Sequence, residues 1–142
     1  MTNGGLMSLN DVRALIADDD PFVSEMLEEL LQSEGCVVQT AGDGCEAYNK
    51  FLADPDINII ISDMNMPGMN GLQLLRKLRD GNVDVPIVIL TGDNEISAAI
   101  EAIKKGANDY ILKDENIQDT VIPSVKKVLE EYKLKQHNIS GA

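Results

Sequence analysis

The sequence predicts an α/β fold, a parallel sheet with helices on both faces. Three observations carry that expectation. Five short apolar runs alternate with five stretches of helical periodicity between residues 12 and 135, the pattern of repeated βα units. The third run, INIIIS, is almost wholly apolar and β-branched, as in strands buried on both faces. Four of the five runs end in Asp, Thr or Lys, and such folds bind ligands outside the carboxyl ends of their strands. A length of 142 residues fits one domain and is enough to bury most of a single core.

Each element has a local reason. The first run, residues 12–17 (VRALIA), ends in Asp18, Asp19 and Asp20. Pro21 opens a helical stripe of Phe22, Met26, Leu27, Leu30 and Leu31. Asp20 before Pro21 is a cap and first-turn pair: the carboxylate accepts an orphan N–H, and proline has none to leave unpaired. Gly35 stands where that helix stops. Residues 36–40 (CVVQT) read as the second strand, 41–44 (AGDG) as a turn, and 45–52 as a short helix ended by Asp54-Pro55-Asp56. The third strand, 57–62, ends at Asp63. After the loop 64–69, Asn70 can cap a third helix carrying Leu72, Leu74, Leu75 and Leu78, which Gly81 and Asn82 break. Residues 85–90 (VPIVIL) form the fourth strand, ending at Thr91.

Ile96, Ala99, Ile100 and Ile103 mark the fourth helix, stopped by Gly106. Residues 109–112 (DYIL) are the fifth strand, ending at Lys113. In the last helix, Ile117, Val121, Ile122, Val125, Val128, Leu129 and Tyr132 form an amphipathic stripe. Pro123 is tolerated only near a helix start, which places the first turn at about Thr120. The stripe should pack on the sheet as far as Leu129. Residues 130–136 (EEYKLKQ) are strong helix formers with little left to bury; they are expected either to project as a helical linker or to fray. Residues 1–10 and 137–142 read as flexible ends of a domain spanning 11–136.

Composition narrows the function. Twelve Lys and Arg against 24 Asp and Glu give a net charge of −12, and aromatics are 4% with no Trp. An acidic chain repels phosphate backbones and lacks a stacking platform, so nucleic acid is not an expected direct partner. No apolar run approaches the roughly 20 residues of a bilayer span. The N-terminus has no signal-peptide pattern, so the expected location is cytoplasmic. Cys36 and Cys45 are too few for a disulfide framework and match no metal spacing. Residues 63–68 (DMNMPG) fail as a calcium loop because Pro67 and Leu74 fall where ligands are needed. The turn at 41–44 is neither a dinucleotide fingerprint nor a P-loop. His137, the only histidine, lies in a polar tail. Met64, Met66 and Met69 in one loop either cover the site or join a partner surface.

The polar strand ends suit one chemistry. The carboxylates of Asp18, Asp19 and Asp63 need positive charge beside them, which a hard divalent cation such as Mg²⁺ supplies through oxygen ligands. A lysine and a hydroxyl, Lys113 and Thr91, can hold the oxygens of a transferring phosphoryl group. Aspartate can itself be the nucleophile. The bare reading is a Mg²⁺-assisted aspartyl-phosphate site.

The segments IADDDP, ISDMNMPGMNG, LTG and GANDYILKD, each following its strand in this order, resemble the receiver domains of two-component response regulators. Spacings of 44 residues from Asp19 to Asp63, 28 to Thr91 and 22 to Lys113 agree with that family. The resemblance implies a flavodoxin-like three-layer sandwich of strand order 2-1-3-4-5. It implies that Asp63 is the phosphoacceptor and that Asp19, Asp18, Asp63 and the main-chain carbonyl of Asn65 hold Mg²⁺. It further implies that Lys113 pairs with Asp63 and the phosphoryl group, that Thr91 binds a phosphoryl oxygen, and that Tyr110 is the aromatic switch.

The implied donor is a sensor histidine kinase or phosphotransfer protein. The implied output is a further module or a homodimer through the fourth helix, fifth strand and fifth helix. One departure stands out: the family usually has proline, often cis, after the lysine, whereas this chain has Asp114. A cis bond there would cost about 2.5–4 kcal/mol without proline, favouring trans. Two other readings fit the architecture. A flavin-binding electron carrier would need a hydroxyl- and glycine-rich loop where this chain has three aspartates. A phosphorylation-independent interaction module would not need the full set of site residues.

Overall fold

The computed structural model describes residues 8–141. Five parallel strands form one sheet: β1 (Arg13–Ala17), β2 (Val37–Ala41), β3 (Ile59–Asp63), β4 (Ile87–Thr91) and β5 (Asp109–Leu112), in the order β2-β1-β3-β4-β5. The crossovers are α1 (Pro21–Ser33), α2 (Gly44–Ala53), α3 (Gly71–Asp80) and α4 (Ile96–Lys104), the last preceded by a 3₁₀ turn at Asp93–Glu95; α5 (Ile117–Gly141) closes the chain. The α/β sandwich and its strand order are those expected.

Alternation along each strand builds two cores. Leu15, Ile60, Ile87 and Ile89 face α2, α3 and α4, packing on Ala47, Phe51, Leu74, Leu75, Leu78, Ala99 and Ala102. Ile16, Ile59, Ile61, Val88 and Leu90 face α1 and α5, packing on Leu27, Leu31, Val121, Val125 and Val128. Successive side chains point to opposite faces, so β3 and β4, buried along their whole length, are apolar on both faces until Ser62, Asp63 and Thr91 at their carboxyl ends. Cys36 joins the second core as a free thiol, and burial pushes it up to about 11. Cys45 is exposed and also free.

The expected caps are present. Asp20 accepts the Phe22 N–H at 2.9 Å with Pro21 opening α1. Asn70 and Gln73 form a reciprocal capping box on α3. Gly35 and Gly106 leave their helices at φ of +96° and +116°, a left-handed backbone that glycine adopts without strain.

Three boundaries differ from expectation. Leu9 is 1% exposed within the α1/α5 core, and Asp11 N–H donates to the Gly35 carbonyl. The segment set aside as loose therefore contributes to the fold from Leu9 onward; residues 1–7 lie outside the described residues. α5 begins at Ile117 rather than Thr120, leaving Pro123 inside it. The earlier start is possible because Asp114 and Asn116 carbonyls accept the first-turn N–H groups of Ile117, Asp119 and Thr120. α5 also continues to Gly141, through residues expected to be a tail; Ala142 lies outside the described residues. As far as Gln136, the last buried residue of α5 is Leu129, Tyr132 and Gln136 are half-buried, and Leu134 is exposed. No described helix is long and apolar enough to cross a membrane.

Candidate functional site

Sheet register gathers the polar strand ends. Ala17 pairs with Ser62, Asp63 with Leu90 and Thr91 with Leu112. Asp18, Asp63, Thr91 and Lys113 thus emerge at one edge, the carboxyl ends of β1, β3, β4 and β5. The Lys113 N–H extends the ladder by one bond to the Thr91 carbonyl at 2.8 Å.

Lys113 Nζ bridges two carboxylates, 3.0 Å from Asp18 Oδ2 and 3.2 Å from Asp63 Oδ2. Asp18 and Asp63 are buried, and Asp19 is exposed at the rim. Asp18 Oδ1 accepts the Asp20 N–H at 2.9 Å. Its buried Oδ2 lies near the ammonium but makes no hydrogen bond of good geometry. Burial first, and then the charge of Asp18, push the Asp63 carboxyl above the usual carboxylate range. Lys113 and the Asn65 N–H pull it back only in part. Burial works against the Lys113 ammonium, yet Asp18 and Asp63 together outweigh it and hold the lysine above its ordinary value.

Oxygen atoms of Asp18, Asp19 and Asp63 lie within 4.8 Å of one another. Three carboxylates against one lysine leave surplus negative charge, and Asp18 Oδ2 retains an unused lone pair. An all-oxygen donor set of this kind suits a hard divalent cation such as Mg²⁺ and does not suit a thiophilic one.

Other expected residues lie beside this cluster, and of these only Asn65 joins its bonds, through its main-chain N–H to Asp63. Thr91 is fully buried, and its hydroxyl donates to the Gly92 carbonyl at 3.3 Å. Tyr110 is half-buried against the α2/α3/α4 core. Asn65 is exposed in the loop after β3. Met64 and Met66 turn into that same core rather than outward, and Met69 packs against it. The Lys113–Asp114 bond is trans, as expected without proline; no cis peptide occurs among the described residues.

Sequence reasoning missed what holds the loop after Asp63. Gly71 N–H donates to the Met64 carbonyl, and a Cβ at Gly71 would fall 2.4 Å from the Asp63 carbonyl oxygen. A Cβ at Gly44 would fall 2.2 Å from the Met69 carbonyl oxygen, which the Gly44 N–H meets at 3.0 Å. The signal available was a glycine directly after each helix-capping residue, Asn70 and Asp43.

Comparison with known proteins agrees with this geometry. The family model for response regulator receiver domains matches residues 14–122. The chain is 38% identical over 103 residues to the response regulator MprA of Mycobacterium ulcerans, covering 72% of this chain and 44% of that protein. It is 33% identical over 106 residues to the DNA-binding transcriptional regulator NtrC of Escherichia coli K12, covering 75% of this chain and 22% of that protein. The chain therefore spans less than half the length of these relatives.

Among solved structures, a response regulator receiver domain protein from Clostridium thermocellum superposes with a TM-score of 0.79 at 30% identity, covering 87% of this chain and 98% of that one. NtrX from Brucella abortus gives a TM-score of 0.86 at 26% identity, covering 93% of this chain and 30% of that one. On a matched sheet order, a matched site edge and a family match over most of its length, this chain belongs to the receiver-domain family of two-component response regulators.

Proposed function

We propose that the domain is a phosphorylation switch in which Asp63 takes a phosphoryl group from a phosphohistidine of a sensor kinase or phosphotransfer protein. The observation that carries this is the Lys113 ammonium bridging the buried Asp18 and Asp63 beside surplus carboxylate charge. An Asp63 oxygen attacks phosphorus; the new O–P bond forms as the P–N bond breaks, and the imidazole nitrogen keeps the electron pair. Lys113 offsets charge on the phosphoryl oxygens, and the Thr91 hydroxyl turns from Gly92 to bond one of them. Asp18, Asp19, Asp63 and the main-chain carbonyl of Asn65 would hold Mg²⁺, which supplies Lewis-acid neutralisation of the phosphoryl oxygens. Water later attacks the same phosphorus, the O–P bond breaks, and inorganic phosphate leaves with the carboxylate restored. The chain assists its own modification and reversal and is not a metabolic enzyme.

The output would be a change at the face of α4, β5 and α5, through Thr91 and Tyr110. That face carries Ile96, Ile100 and Ile103, exposed at helical spacing along α4, a stripe suited to an output module or a second copy. The step is expected in the cytoplasm, where sensor kinases of this family keep their phosphohistidine. Incubation with a small acyl phosphate and Mg²⁺, followed by intact mass, should show one added phosphoryl group. Asp63→Ala should abolish it; equal labelling of that variant overturns the assignment.

A further inference from the structure

Lys113 reaches its two carboxylates from the first residue of a four-residue connection between β5 and α5. Its backbone is pinned on one side by the bond from its N–H to the Thr91 carbonyl at 2.8 Å. On the other side the peptide is trans, without a proline ring to restrict it. The next residue supplies the restraint instead. Asp114 Oδ1 accepts the Asn116 N–H at 2.9 Å, and the Asp114 carbonyl accepts the Ile117 N–H at 3.1 Å. A carboxylate bonding the backbone two residues on is an Asx turn, and a charged acceptor makes it stronger than a neutral one.

We propose that Asp114 is a positioning residue for Lys113: its carboxylate fixes the turn from which the lysine is aimed at Asp18 and Asp63. α5 does not depend on this bond for its existence, because Val121, Val125 and Val128 are fully buried against the sheet. Losing the carboxylate loosens residues 114–116 on the carboxyl side of Lys113, while its N–H stays bonded to Thr91 and strand and helix stay in place. A lysine stem is long and flexible, so a loosened anchor spreads its ammonium over positions that no longer bridge both acids. The consequence for phosphoryl binding rests on the reading of Asp63 as phosphoacceptor; the aim of Lys113 does not.

The test compares Asp114→Ala, which removes the acceptor, with Asp114→Asn, which keeps an acceptor and removes the charge. The first readout is the Lys113 side-chain ammonium resonance in the unmodified full chain. It should broaden or vanish in Asp114→Ala and persist in Asp114→Asn. The second is affinity for beryllofluoride, a phosphoryl mimic, in the presence of Mg²⁺. Asp114→Ala should weaken it about fivefold, the scale of one lost capping bond, and Asp114→Asn less than about twofold. In a Lys113→Ala background, Asp114→Ala should add no further loss. An equal loss in that background, an unchanged ammonium resonance in Asp114→Ala, or Asp114→Asn behaving like Asp114→Ala would each overturn the proposal. If wild type binds no beryllofluoride, the phosphoacceptor reading fails instead, and the ammonium resonance alone decides the role of Asp114.

Discussion

The two ends of the sheet are both polar, and they are built on opposite principles. At the amino end Asp54, Asn58, Asp84 and Asn108 each have a matching donor. Asp54 accepts from the Arg13 guanidinium and from Gln39, and the Asn58 side chain accepts the Arg13 N–H at 2.7 Å. Asn108 accepts the Ile87 N–H at 2.9 Å and an Arg79 N–H, and Asp84 accepts from Tyr132 and Gln136. At the carboxyl end three carboxylates share one lysine, and two of them are buried. The first end closes the fold. The second keeps like charges together, which burial makes unfavourable unless a cation completes the set. A site of this kind is recognised by carboxylates buried together around one cation, where acids at the other end sit beside their own donors.

The largest expected effect is from that missing charge. Saturating Mg²⁺, at about one hundred times its dissociation constant, should stabilise the wild-type fold by about 2.7 kcal/mol, with chelation reversing the gain. Asp19→Asn should lose most of it and Asp54→Asn none. Denaturant unfolding with and without Mg²⁺ checks this; an equal gain in Asp19→Asn would mean that the cation binds elsewhere.

Next in size is the amino end. Asp54→Asn should destabilise modestly, because the Arg13 guanidinium and Gln39 lose a charged, partly buried acceptor. A neutral result would show that Arg13 finds water as readily as it finds Asp54.

The smallest effect has the opposite sign. Asp63→Asn should stabilise the metal-free fold by about 1 kcal/mol at neutral pH. Burial and Asp18 raise the Asp63 carboxyl in the folded state, so the fold binds that proton more tightly than the unfolded chain does. Stability is then lost as pH rises through the raised value. The gap between variant and wild type should open over that range and close in acid, where both side chains are neutral. Paired pH series of unfolding free energies measure it; destabilisation at neutral pH would place Asp63 with the balanced acids of the other end.

Much of this was legible along the chain because it is local. Apolar alternation marked five strands, and β3 declared itself by being apolar on both faces. Asp20-Pro21 and Asn70 announced helix starts through the chemistry of orphan N–H groups. Strand-end residues Asp18, Asp63, Thr91 and Lys113 could be named because a parallel sheet brings its carboxyl ends together. Leu9 and the start of α5 carry no local apolar signal, each for its own reason. Each depends on a partner distant in sequence or on a turn without a hydrophobic period: the α1/α5 core for one, the Asp114 and Asn116 acceptors for the other.

The sequence by itself determined the alternation of elements, their caps and the types of residue delivered to one edge of the sheet, since period, branching and capping chemistry act over a few residues. Only the tertiary structure decided the rest. It set the register that puts Lys113 between Asp18 and Asp63, the close approach of Gly71 to the Asp63 carbonyl, the turning of the Thr91 hydroxyl to Gly92, and the surplus of charge at one end. Lys113 lies 95 and 50 residues from the two acids it bridges, and even the contacts between nearer residues follow from how two cores close on a shared sheet rather than from any local pattern.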